Sequence, residues 1–322
     1  MGDTHGMDEK VTRPARVWLR RLGVALSASA LAAGCHGATP RVATPTPTSA
    51  ATSPAPSPSP LSARTLLLGV IGDFGLHGGQ APTMVGVLRE AARAHGLGGR
   101  LAAVVTTGDN AYEQGTPAQV AYARGLLDPL LGPGTRLVAS MGNHDEATRH
   151  GAPLLVGFGM PGPWYTTTIG PVQLVVLDAN RPEDPAQLRW LRTVLKAPRT
   201  TPYRVAVFHQ PAAACSLHTA DAAVDRAWLP LLDAGVDLVL SGHNHTYERF
   251  VDGAGLPLVT TGGGGARIYP SSRAICTGPA RPLVLRAVHN VVLLEVRHGY
   301  LELVALDAQG RAFDDVAVRP RG

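Results

Sequence analysis

Five short polar blocks interrupt an otherwise apolar run of sequence: GDFG (Gly72 to Gly75), GDNAY (Gly108 to Tyr112), GNHD (Gly142 to Asp145), VFH (Val207 to His209) and GHNH (Gly242 to His245). Their side chains include Asp73, Asp109, Tyr112, Asn143, His144, His209, His243 and His245. These are hard oxygen and imidazole donors with no thiolate, a set that suits iron, zinc, manganese or a mixed pair better than a cysteine-bound zinc site. Taken singly, an Asp at a strand end is most often a turn former. Five such blocks in order supply a full ligand set, which independent turn formers would not.

Each block follows a β-rich apolar run, and these runs must position the donors. TLLLGVIG (Thr65 to Gly72), LAAVVTT (Leu101 to Thr107), RLVASM (Arg136 to Met141), VQLVVLD (Val172 to Asp178), YRVAVFH (Tyr203 to His209) and VDLVLSG (Val236 to Gly242) read as buried strands. Between them Pro82 to His95, Pro117 to Leu127, Pro185 to Leu195 and Asp221 to Asp233 carry a helical period, several opened by Pro in the first turn. LPLVTTG, NVVLLEV and YLELVAL follow without helices between them, which predicts antiparallel pairing. The implied fold is an α/β domain with two mixed sheets between helical layers. In such sheets ligands bind beyond the carboxyl ends of the strands, where the blocks would converge.

The 322-residue chain divides into three parts by composition. Residues 1–35 read as an export signal: Arg13, Arg16, Arg20 and Arg21 precede LGVALSASALAAGC, an apolar stretch too short to span a bilayer. LAAGC resembles a bacterial lipobox in which Cys35 is lipidated; a cleaved signal with an incidental Cys is the alternative. Residues 36–63, rich in Pro, Thr, Ser and Ala, have no apolar periodicity and read as a disordered, extended tether. Residues 64–322 form the folded domain. The net charge of +5 comes from scattered Arg, with only Lys10 and Lys196 as lysines, so no basic cluster points to nucleic acid. Cys215 and Cys276 would form a disulfide in an oxidising compartment, or remain two separate buried thiols.

In their order the five blocks resemble the metallophosphoesterase superfamily. Tyr112 in GDNAY makes the resemblance closest to purple acid phosphatases, and GHNHTYER (Gly242 to Arg249) is similar to the corresponding segment of plant members. The resemblance implies a four-layer α/β/β/α sandwich. It also implies two metals about 3.5 Å apart: Fe(III) held by Asp73, Asp109, Tyr112 and His245, and a divalent Fe, Zn or Mn held by Asp109, Asn143, His209 and His243. Tyr112 would then be a phenolate whose charge transfer to Fe(III) gives the family its purple colour. The implied reaction is attack of a metal-bound hydroxide on a phosphomonoester, with His144 protonating the leaving group or holding the phosphate. Asp145 would orient that imidazole, and His218 would reach the phosphate. A small phosphate ester is the expected partner, a monomer the expected state, and a lipid anchor at the N-terminus the only expected membrane contact, on a cell-surface or secreted protein. A phosphodiesterase shares the same metal motifs. A phosphoryl-ligand binding protein with little turnover is disfavoured by His144 beside a full ligand set.

Four further features read more simply. Gly262 to Gly265 is a Gly-rich bend or a phosphate nest, His289 a polar strand-edge residue, Glu248 with Arg249 a solvated contact, and Trp164-Tyr165 a substrate wall or a core edge.

Overall fold

The computed structural model describes residues 65–321. The expected export signal, Cys35 and the whole of the tether lie outside them. Among the described residues, no helix is long and apolar enough to cross a membrane.

In chain order the domain alternates β1 (Leu67–Ile71), α1 (Ala81–His95), β2 (Ala103–Thr106), α2 (Pro117–Leu127) and β3 (Arg136–Ala139). Two short helices follow, α3 (Asn143–Glu146) and α4 (Ala152–Phe158), and then β4 (Tyr165–Ile169), β5 (Val172–Val176), α5 (Pro185–Lys196), β6 (Tyr203–Val207), α6 (Ala222–Gly235) and β7 (Leu238–Ser241). The remainder is all strand: β8 (Tyr247–Val251), β9 (Pro257–Thr261), β10 (Arg281–Arg286), β11 (Asn290–Arg297), β12 (Tyr300–Asp307) and β13 (Ala312–Val318). The long helices begin where local chemistry dictates. Thr116 and Gln119 form a reciprocal capping box on α2, while Asp184 and Asp221 each accept two backbone N–H bonds at the starts of α5 and α6.

Six strands form one sheet in the order β13-β12-β11-β1-β2-β3, and seven form the other in the order β10-β8-β9-β7-β6-β5-β4. Both are mixed. β1, β2 and β3 run parallel, as do β5, β6, β7 and β9, and the outer strands pair antiparallel. Three apolar clusters hold the four layers, helices, two sheets and helices, together. Leu68, Val70, Val105 and Val292 of the first sheet face Leu174, Val176, Val205 and Leu240 of the second. Their sequence neighbours point the opposite way: Leu67, Ile71 and Val104 meet Met84, Leu88, Val120 and Leu154 of α1, α2 and α4. On the far side Val175, Ala206 and Val239 meet Leu191, Val224 and Trp228 of α5 and α6. This two-residue alternation is what a strand buried on both faces requires.

One pairing differs from expectation. β9 joins the second sheet, antiparallel to β8 and parallel to β7, so LPLVTTG does not pair with NVVLLEV. The reason is β8, which grows out of the polar GHNHTYER block and supplies the hairpin partner that β9 needs.

Candidate metal centre

The five blocks leave the carboxyl ends of β1, β2, β3, β6 and β7, so the first sheet supplies acids and the second supplies imidazoles. Close approach of the two sheets demands small residues. Gly108 sits at φ 94°, and a Cβ there would run into the His209 ring; a Cβ on Gly242 would meet the Asp73 carboxylate. Asp73, Asp109 and His243 themselves adopt left-handed backbone conformations, with φ of 55°, 48° and 71°. A non-glycine residue held there costs on the order of 1–3 kcal/mol, a strain that clusters at functional sites.

The donors converge. The Tyr112 hydroxyl lies 3.1 Å from Asp109 Oδ2, 3.4 Å from Asp73 Oδ1 and 3.1 Å from His245 Nε2. His209 Nε2 is 3.2 Å from Asp109 Oδ2, His245 Nε2 is 3.5 Å from Asp73 Oδ1, and His243 Nδ1 is 3.3 Å from His209 Nε2. Asp109, His209 and His243 each present a ligating atom within 4.8 Å of the other two. All these groups are buried except His243, which is partly so.

Tautomers decide what the rings can do. His209 Nδ1 lies 2.8 Å from the Thr107 carbonyl oxygen, and His245 Nδ1 lies 2.8 Å from that of Arg267. A carbonyl only accepts, so both Nδ1 atoms carry protons and turn Nε2 inward, the arrangement by which a metal-binding imidazole is oriented. Burial pushes the His245 imidazole down to about 4 and, with the charge of His209, the His243 imidazole down to about 2. Burial also disfavours charge on His209, but Asp109 overrides it and raises that imidazole to about 9. In return, His209 and His144 hold the Asp109 carboxyl below its ordinary range against the effect of burial. Burial raises Asp73 and, together with Asp73 and Asp109, raises the Tyr112 phenol. Lone pairs of two neutral imidazoles, two carboxylates and a phenol directed at one spot are complementary to a cation, and their chemistry fits a metal centre of the kind the resemblance implies.

His144 stands beside this cluster. Its Nδ1 is 2.6 Å from the Glu113 carbonyl oxygen, which leaves Nε2 unprotonated or donating toward the site, 3.9 Å from Asp109 Oδ2. Its ring packs on Tyr112 with centroids 4.5 Å apart. Asn143 is exposed at the start of α3 and lies outside the contact network of the other donors. His218 is half-buried and stacks on His243, with centroids 4.2 Å apart.

Asp145 does not orient the His144 ring. It is fully buried, and its oxygens accept N–H bonds from Asn110 (backbone 3.0 Å, amide 2.8 Å), Ala111 (2.8 Å) and Gly142 (2.9 Å). It therefore staples the GDNAY loop to the GNHD loop. Burial and the Asp109 charge push its carboxyl up to about 6, against four N–H donors that favour the ionised form. Glu248 and Arg249 also differ from the expected solvated contact. Arg249 makes a bidentate pair with Asp314, while buried Glu248 accepts the Cys215 N–H at 3.0 Å. Cys215 and Cys276 are joined as a disulfide. Tyr165 spans the two sheets by bonding both backbone groups of Ala139, a core-edge role. Gly262 to Gly265 forms a close-packed bend whose Gly263 carbonyl faces His289 Nδ1 at 3.1 Å.

Sequence reading missed Tyr269, whose ring lies flat on His245 with centroids 4.0 Å apart and planes 16° from parallel. It also missed Asn244, whose side chain clasps both the N–H and the carbonyl of His218. No periodicity marks either residue; the signals were the GHNH block, which contains Asn244, and the Gly-rich bend preceding Tyr269.

Residues 66–247 match the calcineurin-like phosphoesterase family, a span of more than half the chain. The chain belongs to that family. No curated protein matches its sequence. Among solved structures, the fold is similar to purple acid phosphatase PPD1 from yellow lupin (Lupinus luteus), with TM-score 0.65 and 16% identity over 82% of this chain and 55% of that one. It is similar too to GAP50, the anchor in the inner membrane complex of Plasmodium, with TM-score 0.64 and 16% identity over 80% and 90% of the two chains. A dimetal phosphatase from Danio rerio follows at TM-score 0.52 and 15% identity, over 80% of this chain and all of that one. At these identities the likeness concerns the fold, and it agrees with the two mixed sheets of a calcineurin-like phosphoesterase. Family membership and the donor cluster together support a metal-dependent phosphoesterase.

Proposed function

We propose that this chain is an exported phosphomonoesterase of the purple acid phosphatase type, working through a binuclear metal centre. The observation that carries the reading is the convergence of Asp73, Asp109, Tyr112, His209, His243 and His245 from both sheets, with the Nε2 atoms of His209 and His245 turned inward by backbone carbonyls. Asp73, Asp109, Tyr112 and His245 would hold one ion, Fe(III), and Asp109, Asn143, His209 and His243 the other, a divalent Fe, Zn or Mn. Asp109 has the lone pairs to serve both. When bound, the ions would acidify water and take up charge on the phosphoryl oxygens. Opposite charge among the buried oxygens would also reverse the influences that now raise the Tyr112 phenol.

His144 has the position of an acid. Its Nδ1 proton is committed to the Glu113 carbonyl, so Nε2 remains to pass a proton to a departing alkoxide. Asp145 would hold His144 in place indirectly, by fixing Gly142 at the turn into α3. His218, stacked on His243, would offer its partly exposed ring to the phosphate.

Export and lipidation of Cys35 are part of this proposal. The Cys215–Cys276 disulfide supports an oxidising compartment. Fold alone does not assign activity, as the Plasmodium anchor illustrates. Purified protein of measured metal content is therefore assayed against 4-nitrophenyl phosphate and bis(4-nitrophenyl) phosphate. Faster turnover of the monoester is expected. Preference for the diester would replace the reading with a phosphodiesterase, and phosphate binding without turnover of either would replace it with a binding protein.

A further inference from the structure

The loop after β6 and the loop after β9 are distant in sequence, yet they are sewn into one unit. The Cys215–Cys276 bond spans a separation of 61 residues. Around it, Ala214 and Thr277 exchange backbone bonds of 3.1 and 2.7 Å, and Ser272 N–H donates to the Cys215 carbonyl at 2.8 Å. The Ser216 hydroxyl donates to the Pro270 carbonyl at 2.8 Å, and Ala220 N–H donates to the Thr277 hydroxyl at 2.7 Å.

What these loops carry gives the seam its meaning. His218, on the first, stacks on His243, and Tyr269, on the second, stacks on His245. His218 and Tyr269 meet edge to face, with centroids 5.5 Å apart, so four rings form a continuous belt. The second loop also provides the Arg267 carbonyl that fixes the His245 tautomer. His245 thus takes both its tautomer and its stacking partner from one clamped segment. For His243, whose Nδ1 faces His209, the stacked His218 ring restricts rotation.

We propose that the Cys215–Cys276 disulfide is a positioning clamp for the metal centre, holding His218, Arg267 and Tyr269 so that the His243 and His245 imidazoles stay in ligand orientation. The proposal rests on the metal-centre reading above. A disulfide that only restricts the unfolded chain would raise the thermal midpoint and leave metal affinity at room temperature unchanged. A clamp changes the affinity itself, because groups that orient metal ligands are worth roughly 10- to 100-fold in metal binding.

The test uses the full-length, metal-loaded chain and reads the chelator concentration that strips half the metal, well below the thermal midpoint of every variant. The Cys215→Ser/Cys276→Ser double variant should lose its metal at roughly ten-fold lower chelator. Tyr269→Leu should shift in the same direction with the disulfide intact, and Tyr269→Phe should behave as wild type. Wild-type retention in the double variant, whatever its midpoint, would overturn the clamp. Should the double variant fail to fold, wild-type retention in Tyr269→Leu would overturn it instead. A wild-type chain that takes up no metal would remove the metal-centre reading, and the clamp with it.

Discussion

The two halves of the centre are built by different means. On the first-sheet side the acids sit in tight turns, and Asp145 fixes two of those turns with backbone and amide N–H bonds drawn from within the motifs themselves. On the second-sheet side the imidazoles depend on remote support: carbonyls of Thr107 and Arg267, the rings of His218 and Tyr269, and a disulfide. Carboxylates need only a fixed backbone to point their oxygens. An imidazole has a tautomer and a ring plane to set as well, and these require partners from elsewhere in the fold.

The largest effect should come from Asp109, whose oxygens would serve both ions. Asp109→Asn should reduce phosphatase turnover by several orders of magnitude and release metal, read by steady-state kinetics and metal analysis of the same sample. Retained activity would break the division into halves, since the oxygens shared between them would not matter. Next, His144→Gln should lower kcat by about 10²–10⁴-fold with metal content unchanged, because a missing proton donor leaves the ligands intact. Equal loss of metal would make His144 part of the first-sheet ligand support.

Asp145→Asn sharpens the contrast further. An amide nitrogen cannot accept the N–H bonds now shared by the two carboxylate oxygens, and each buried donor left unpaired costs about 1–3 kcal/mol. Metal retention should fall about 10- to 100-fold, with a lower thermal midpoint. A variant that loses stability but keeps its metal would show that the staple serves the fold alone.

The smallest effect is a pH dependence on the second-sheet side. Burial raises the Glu248 carboxyl to about 7 in the folded protein, against an ordinary value near 4.3. The folded state therefore holds the proton more tightly. Its contribution is complete below about pH 4.3 and is lost as pH rises through about 7. Glu248→Gln should match wild type at low pH and exceed its thermal midpoint above pH 7.5, where the wild-type carboxylate is charged and buried. Identical pH profiles would mean that Glu248 ionises without cost beside the Cys215 N–H.

The same division governs how much could be read from sequence. All nine apolar runs are strands, and the four helical segments appear within a residue or two of their expected ends, because buried parallel strands and capped amphipathic helices carry their own signals. The acids were legible because each lies in a short block beside its strand. β8 was hidden because its residues overlap a polar motif, and β10 and β13, at the edges of the sheets, lack a buried alternation. Asp145 was assigned to the wrong neighbour because adjacency to His144 suggested a contact, whereas its carboxylate turns toward Asn110 and Ala111. Tyr269 and the disulfide were illegible or ambiguous for a common reason: their meaning lies in residues dozens of positions away.

The most direct test of the centre is a metal titration with turnover as the readout. Purified chain is stripped by chelator, then reloaded while bound metal and 4-nitrophenyl phosphate hydrolysis are measured together. Activity should be absent in the stripped protein and appear as two ions per chain are bound, with a visible absorption band that Tyr112→Phe lacks when iron is supplied. Full turnover by stripped protein, or two bound ions with no hydrolysis, would contradict a catalytic binuclear centre.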